Sequence, residues 1–128
     1  VTLILDSGGV SALAGQRARL AELRSRGLWP PQVPAVVLAE ALIGDSRRDF
    51  HTNRLLRTCQ VRDVDELQSR EAARLRTATG RASKISAVDA VVVAFASSRP
   101  DPLVLTSDPR DLGALADQAA RPITIVAT

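Results

Sequence analysis

Aromatic side chains are nearly missing from this 128-residue sequence, which has two Phe, one Trp and no Tyr. That excludes a nucleic-acid surface built on stacked aromatics and leaves Ala, Val, Leu and Ile to make the core. A single cysteine, Cys59, excludes an internal disulfide and fits a reducing compartment. With His51 the only histidine, there is no His/Cys cluster to select zinc. No hydrophobic run has the length of a membrane span, because the longest, around Ala87–Ala96, is interrupted by Asp89. The apolar stretch Val1–Leu5 is short and lacks the basic flank of a signal peptide. A cytoplasmic protein without a membrane role is expected. Also missing are a P-loop, a glycine-rich dinucleotide turn after the first strand and, at Gly8, the second Asp that a phospho-aspartyl phosphatase carries two residues beyond the first.

What is present describes one globular domain over residues 1–128, with 45% hydrophobic and 24% charged residues. Seventeen basic against 14 acidic residues leave a net charge of +3, and every basic residue except Lys84 is Arg. Arginine suits bidentate phosphate contacts, so the excess reads either as affinity for a polyanion or as a coding bias toward Arg.

Short apolar strands are expected at Val1–Leu5, Val61–Val64, Leu103–Leu105 and Ile123–Val126, with a brief extended segment at Leu28–Val33. Between them the spacing predicts helices over Val10–Arg26, Ala35–Ile43, Arg47–Cys59, Asp65–Ala78, Ser86–Ser98 and Pro109–Ala119. The core faces of the third and fourth should include Phe50, Leu55, Leu56, Leu67, Ala72 and Leu75. This alternation predicts an α/β fold with a mainly parallel sheet covered on both faces.

Four carboxylates stand out. Asp6 ends the first strand and Asp108 follows Leu103–Leu105, so both belong at the carboxyl edge of a parallel sheet, where ligands bind. Asp89 lies in the first turn of the helix opening at Ser86. Each Asp also reads as a helix-capping residue. Glu40 does not, since it stands mid-helix among apolar neighbours, on what should be a buried face. A carboxylate there needs either a buried Arg or a bound cation. Carboxylates converging on one pocket require a cation to stay ionised, and hard oxygen ligands select Mg²⁺ or Mn²⁺.

The blocks Leu3-Ile-Leu-Asp6-Ser7, Ala39-Glu40-Ala-Leu42, Ser86-Ala-Val-Asp89-Ala-Val-Val-Val-Ala94 and Leu105-Thr-Ser-Asp108-Pro-Arg-Asp111-Leu112 run in order along nearly the whole chain. They resemble the acidic blocks of PIN domains, and the size and element order look most like VapC-type toxins of toxin–antitoxin pairs. The resemblance implies a PIN-like three-layer α/β/α domain and a divalent-metal endoribonuclease that cuts tRNA or rRNA, leaving a 3′-hydroxyl and a 5′-phosphate. It makes Asp6, Glu40, Asp89 and Asp108 the acidic centre and the metal ligands, with Asp111 an accessory acid. Ser7 and Thr106 fall where hydroxyls line such a pocket, although a local turn bond explains each equally. Arg81, Lys84 and Arg110 are candidates for a basic rim that offsets repulsion between the acids and RNA, or are plain surface charges. The resemblance further implies a VapB-like antitoxin and a homodimer. The competing function is a non-catalytic PIN-like module that binds RNA or protein, which clustered repulsive acids do not favour.

Overall fold

The computed structural model describes all 128 residues. Five parallel strands form one sheet: β1 (Thr2–Leu5), β2 (Gln32–Pro34), β3 (Gln60–Arg62), β4 (Pro102–Thr106) and β5 (Thr124–Ala127). They lie in the order β3-β2-β1-β4-β5. The chain winds outward from β1 to β3, then returns to place β4 on the other side of β1. The topological switch therefore falls between β1 and β4, where an open parallel sheet forms its ligand crevice.

Seven helices cover the sheet: α1 (Ser7–Ala14), α2 (Arg17–Ser25), α3 (Leu38–Ala41), α4 (Phe50–Leu56), α5 (Glu66–Ala78), α6 (Ala87–Ser97) and α7 (Pro109–Ala116). Right-handed crossovers put the helices of the two winding directions on opposite faces. Accordingly α1 packs with α2, α3 and α4, while α6 packs with α5 and α7. A single cluster of 23 buried apolar residues fills the interior, with Phe95 its one aromatic. No helix is long and apolar enough to cross a membrane.

Several expectations need correction. The helix expected over Val10–Arg26 is two, because the chain breaks at Gly15-Gln16 and restarts at Arg17. The helix expected over Ala35–Ile43 shrinks to a 3-10 turn, Ala35–Val37, and the single turn of α3. Pro34 belongs to β2, so the run's apolar residues are divided between strand end, 3-10 turn and helix, and only Val37 of the two short helical pieces is buried. The helix expected over Arg47–Cys59 starts later, at Phe50. Phe50 and Leu67, expected in the core, are 54% and 78% exposed. Leu67 lies in the first turn of α5, whose buried residues, Ala72 and Leu75, come later. The strand expected at Val61–Val64 is β3, an exposed edge strand that starts one residue earlier.

Candidate active site

Strand register brings the first pair of groups together. Leu5 of β1 lies opposite Leu105 of β4, so the next residues, Asp6 and Thr106, emerge side by side at the carboxyl edge. The Thr106 hydroxyl donates to Asp6 Oδ2, and the Gly9 amide donates to Oδ1 at 2.7 Å. Asp6 thus caps α1 while being only 4% exposed. Burial raises its carboxyl above the usual range; the Thr106 and Gly9 hydrogen bonds oppose this, and the charges of Glu40 and Asp108 add to it.

Glycine permits this close arrangement. A Cβ on Gly9 would stand 2.5 Å from the Leu105 carbonyl oxygen, and one on Gly8 would stand 2.9 Å from the Ser107 backbone nitrogen. The first turn of α1 therefore lies directly against the end of β4.

Asp89 enters from α6. Ser86 caps that helix by accepting from the Asp89 amide at 3.0 Å, but the Asp89 carboxylate makes no return bond that would complete a capping box. Burial, followed by the charges of Asp6, Asp108 and Glu40, pushes this carboxyl up to about 6, against a small opposing pull from Ser86. The four acids singled out in the sequence thus share one field.

Asp108 is exposed and caps α7, accepting from the Asp111 amide at 3.2 Å, while its own amide donates to Thr106 Oγ1 at 2.9 Å. One carboxylate oxygen from each of Asp89, Asp108 and Asp111 lies within 4.8 Å of the others. This donor set is all oxygen and partly open to solvent, the kind that could hold a hard divalent cation. Asp111 is also claimed by Arg81, whose guanidinium bonds its Oδ1 at 3.1 Å.

Glu40 differs from expectation. It is exposed, and it has no arginine partner. Its one side-chain hydrogen bond is from the Ser7 hydroxyl, which donates to Oε1 at 3.1 Å. The structure thus gathers Asp6, Glu40, Asp89, Asp108 and Asp111 with the hydroxyls of Ser7 and Thr106. Arg81 joins through Asp111, whereas Lys84, in the turn before α6, and Arg110, in the first turn of α7, are exposed.

Residues that sequence reasoning passed over also shape the site. Gly8 and Gly9 occupy a helix's first turn without needing a positive φ, and that is the signature of a close approach. Asp49 is a second omission, with no sequence signal beyond its place five residues after Gly44.

No protein-family model matches the sequence, and no curated protein matches it either. Solved structures do. A chain of the DNA-bound VapBC complex from Salmonella typhimurium superimposes with a TM-score of 0.75 at 15% identity, covering 99% of this chain and 98% of that one. VapBC2 from Rickettsia felis, bound to a promoter DNA fragment, gives 0.76 at 12% identity over 100% and 99%. FitAcB from Neisseria gonorrhoeae gives 0.66 at 21% identity over 97% and 96%. The chain has the fold of these toxin–antitoxin proteins. It is the PIN-like α/β fold expected from the acidic blocks, with a sheet parallel throughout.

Proposed function

We propose that the protein is a divalent-metal-dependent endoribonuclease, the toxin of a toxin–antitoxin pair, hydrolysing phosphodiester bonds of tRNA or rRNA. The observation that carries this reading is the convergence of Asp6, Glu40, Asp89 and Asp108 at the sheet's switch point, with Asp89 pushed up to about 6 by burial and by the other three. Such a pocket stores repulsion that a cation relieves. The toxin–antitoxin fold supports the same assignment.

When bound, a divalent ion lowers the pKa of its water and neutralises charge on the phosphate. Asp89 and Asp108 would hold it, with Asp6 adding its charge beside Asp89. Thr106 and the Gly9 amide fix both oxygens of Asp6, so that carboxylate is oriented before any ligand arrives. Asp111 divides its charge between the cluster and Arg81. Glu40, solvent-exposed and tethered through Ser7, would complete the ion's shell through a bound water and accept that water's proton. Lys84 and Arg110 draw the RNA backbone toward an otherwise repulsive centre.

The antitoxin partner is proposed to dock in a groove of about 560 Å³ between α1, α2 and α4. Leu13, Leu20 and Leu55 line it together with Arg17, Arg24 and Arg54, and no acid does. An amphipathic segment with acidic flanks complements such a surface. A homodimer belongs to the same reading, with the exposed Ile43 and Phe50 open to such a contact.

Purified protein should cleave structured RNA with Mg²⁺ or Mn²⁺, and Asp89→Asn should reduce the rate at least 100-fold while staying folded. Undiminished cleavage in EDTA would sink the metal mechanism. Metal-independent RNA binding without cleavage would favour the non-catalytic module.

A further inference from the structure

We infer that Asp49 is a positioning residue for Glu40, a clasp that fixes the one-turn helix carrying that acid; the inference rests on the function proposed above. The problem it solves is physical. A four-residue helix has almost no stability of its own, and Glu40 is exposed, so packing does not fix its side chain. One hydroxyl contact to Ser7 leaves the backbone to do so.

The backbone leaving α3 ends on Asp49. This carboxylate accepts from the Ile43 amide at 2.9 and 3.1 Å, from Gly44 at 2.8 Å and from Asp45 at 3.1 Å. It is 4% exposed and forms no ion pair, so three amides do the work that a counter-ion would otherwise do. The Ile43 amide is the main reason its carboxyl sits below the usual range, with Gly44, Asp45 and the nearby Arg48 charge acting the same way. Gly44, at φ +89°, supplies the left-handed residue that turns these amides inward. Asp45, itself exposed, braces the turn further along, accepting from the Arg47 and Arg48 amides at 2.9 and 3.2 Å.

The clasp is anchored on rigid structure. The Asp49 carbonyl accepts from the Asn53 amide of α4 at 2.8 Å, and α4 packs along α1. The first residue of α1 is Ser7, which holds Glu40. Glu40 is therefore located from both sides, through Ser7 directly and through the Asp49 turn behind it. A carboxylate spent only on stability would have no coupling to Glu40.

A double-mutant cycle on the full-length protein separates these roles, with Mn²⁺ affinity read by calorimetry and folding by circular dichroism. Asp49→Asn is expected to weaken Mn²⁺ binding about 10-fold in the wild-type background, and less than about twofold when Glu40→Gln is already present. Gly44→Ala, which strains the same turn and keeps the carboxylate, should show a smaller loss with the same dependence on Glu40. Wild-type affinity in both folded variants, or equal losses with and without Glu40→Gln, would overturn the inference. If Asp49→Asn does not fold, Gly44→Ala decides. If neither folds, the clasp is a folding element and the inference fails. A wild-type protein that binds no Mn²⁺ would instead refute the proposed function, and the positioning role with it.

Discussion

Asp89 carries the cost of the site most visibly. Its carboxyl is raised from the ordinary 3.8 to about 6, first by burial and then by three neighbouring acids. Between these values the folded protein binds more protons than the unfolded chain, so stability falls as pH rises from about 4 to 6 and stays lower above that. Asp89→Asn removes this loss. Urea unfolding of metal-free protein should therefore show the variant more stable by about 1–2 kcal/mol at pH 7.5, allowing for solvent screening, and no more stable at pH 4. The single acids were legible in the sequence because strand ends and helix starts are local features. Glu40 was found for a partly wrong reason, since its apolar neighbours implied burial and the structure leaves it exposed. Asp49 was not legible, because its acceptance of three amides depends on how the loop after Gly44 folds back.

At the scale of elements, the close contact of α1 with β4 brings the acids together. Gly9→Ala drives a Cβ into the Leu105 carbonyl and should cost about 1–3 kcal/mol by thermal or chemical unfolding. Gly15→Ala, with nothing near its added methyl, should change stability by less than about 1 kcal/mol. Equal effects would mean that α1 is not pressed on the strand. Helix starts read well where a local cap exists, as with the Asp65–Gln68 capping box that opens α5. They read poorly over Ala35–Cys59, where short pieces owe their ends to tertiary hydrogen bonds such as those of Asp49. Apolar periodicity also mistook the exposed Phe50 and Leu67 for core, because side chains near a helix start can satisfy the period and still project beyond the sheet.

For the whole molecule, the parallel order β3-β2-β1-β4-β5 separates two surfaces. Acids gather where β1 and β4 end, and an Arg-edged apolar groove lies between α1, α2 and α4. The near absence of Lys and aromatics, plain in the composition, becomes informative here, since the groove's charge is arginine and its floor is leucine. Leu20→Asp with Arg54→Glu should weaken binding of the proposed antitoxin about 10-fold or more in a pull-down or calorimetric titration, and leave the proposed RNA cleavage unchanged. Loss of cleavage with retained partner binding would place the partner elsewhere.

The central claim is that these acids exist to hold a divalent cation. Calorimetric titration of metal-free protein with Mn²⁺ at pH 6 tests it most directly. The account predicts saturable binding with release of a fraction of a proton, because the Asp89 carboxyl, raised to about 6, is partly protonated there. That release should vanish at pH 8, and binding should be lost in Asp89→Asn. Absence of saturable binding by the wild-type protein, or undiminished binding by Asp89→Asn, would contradict it.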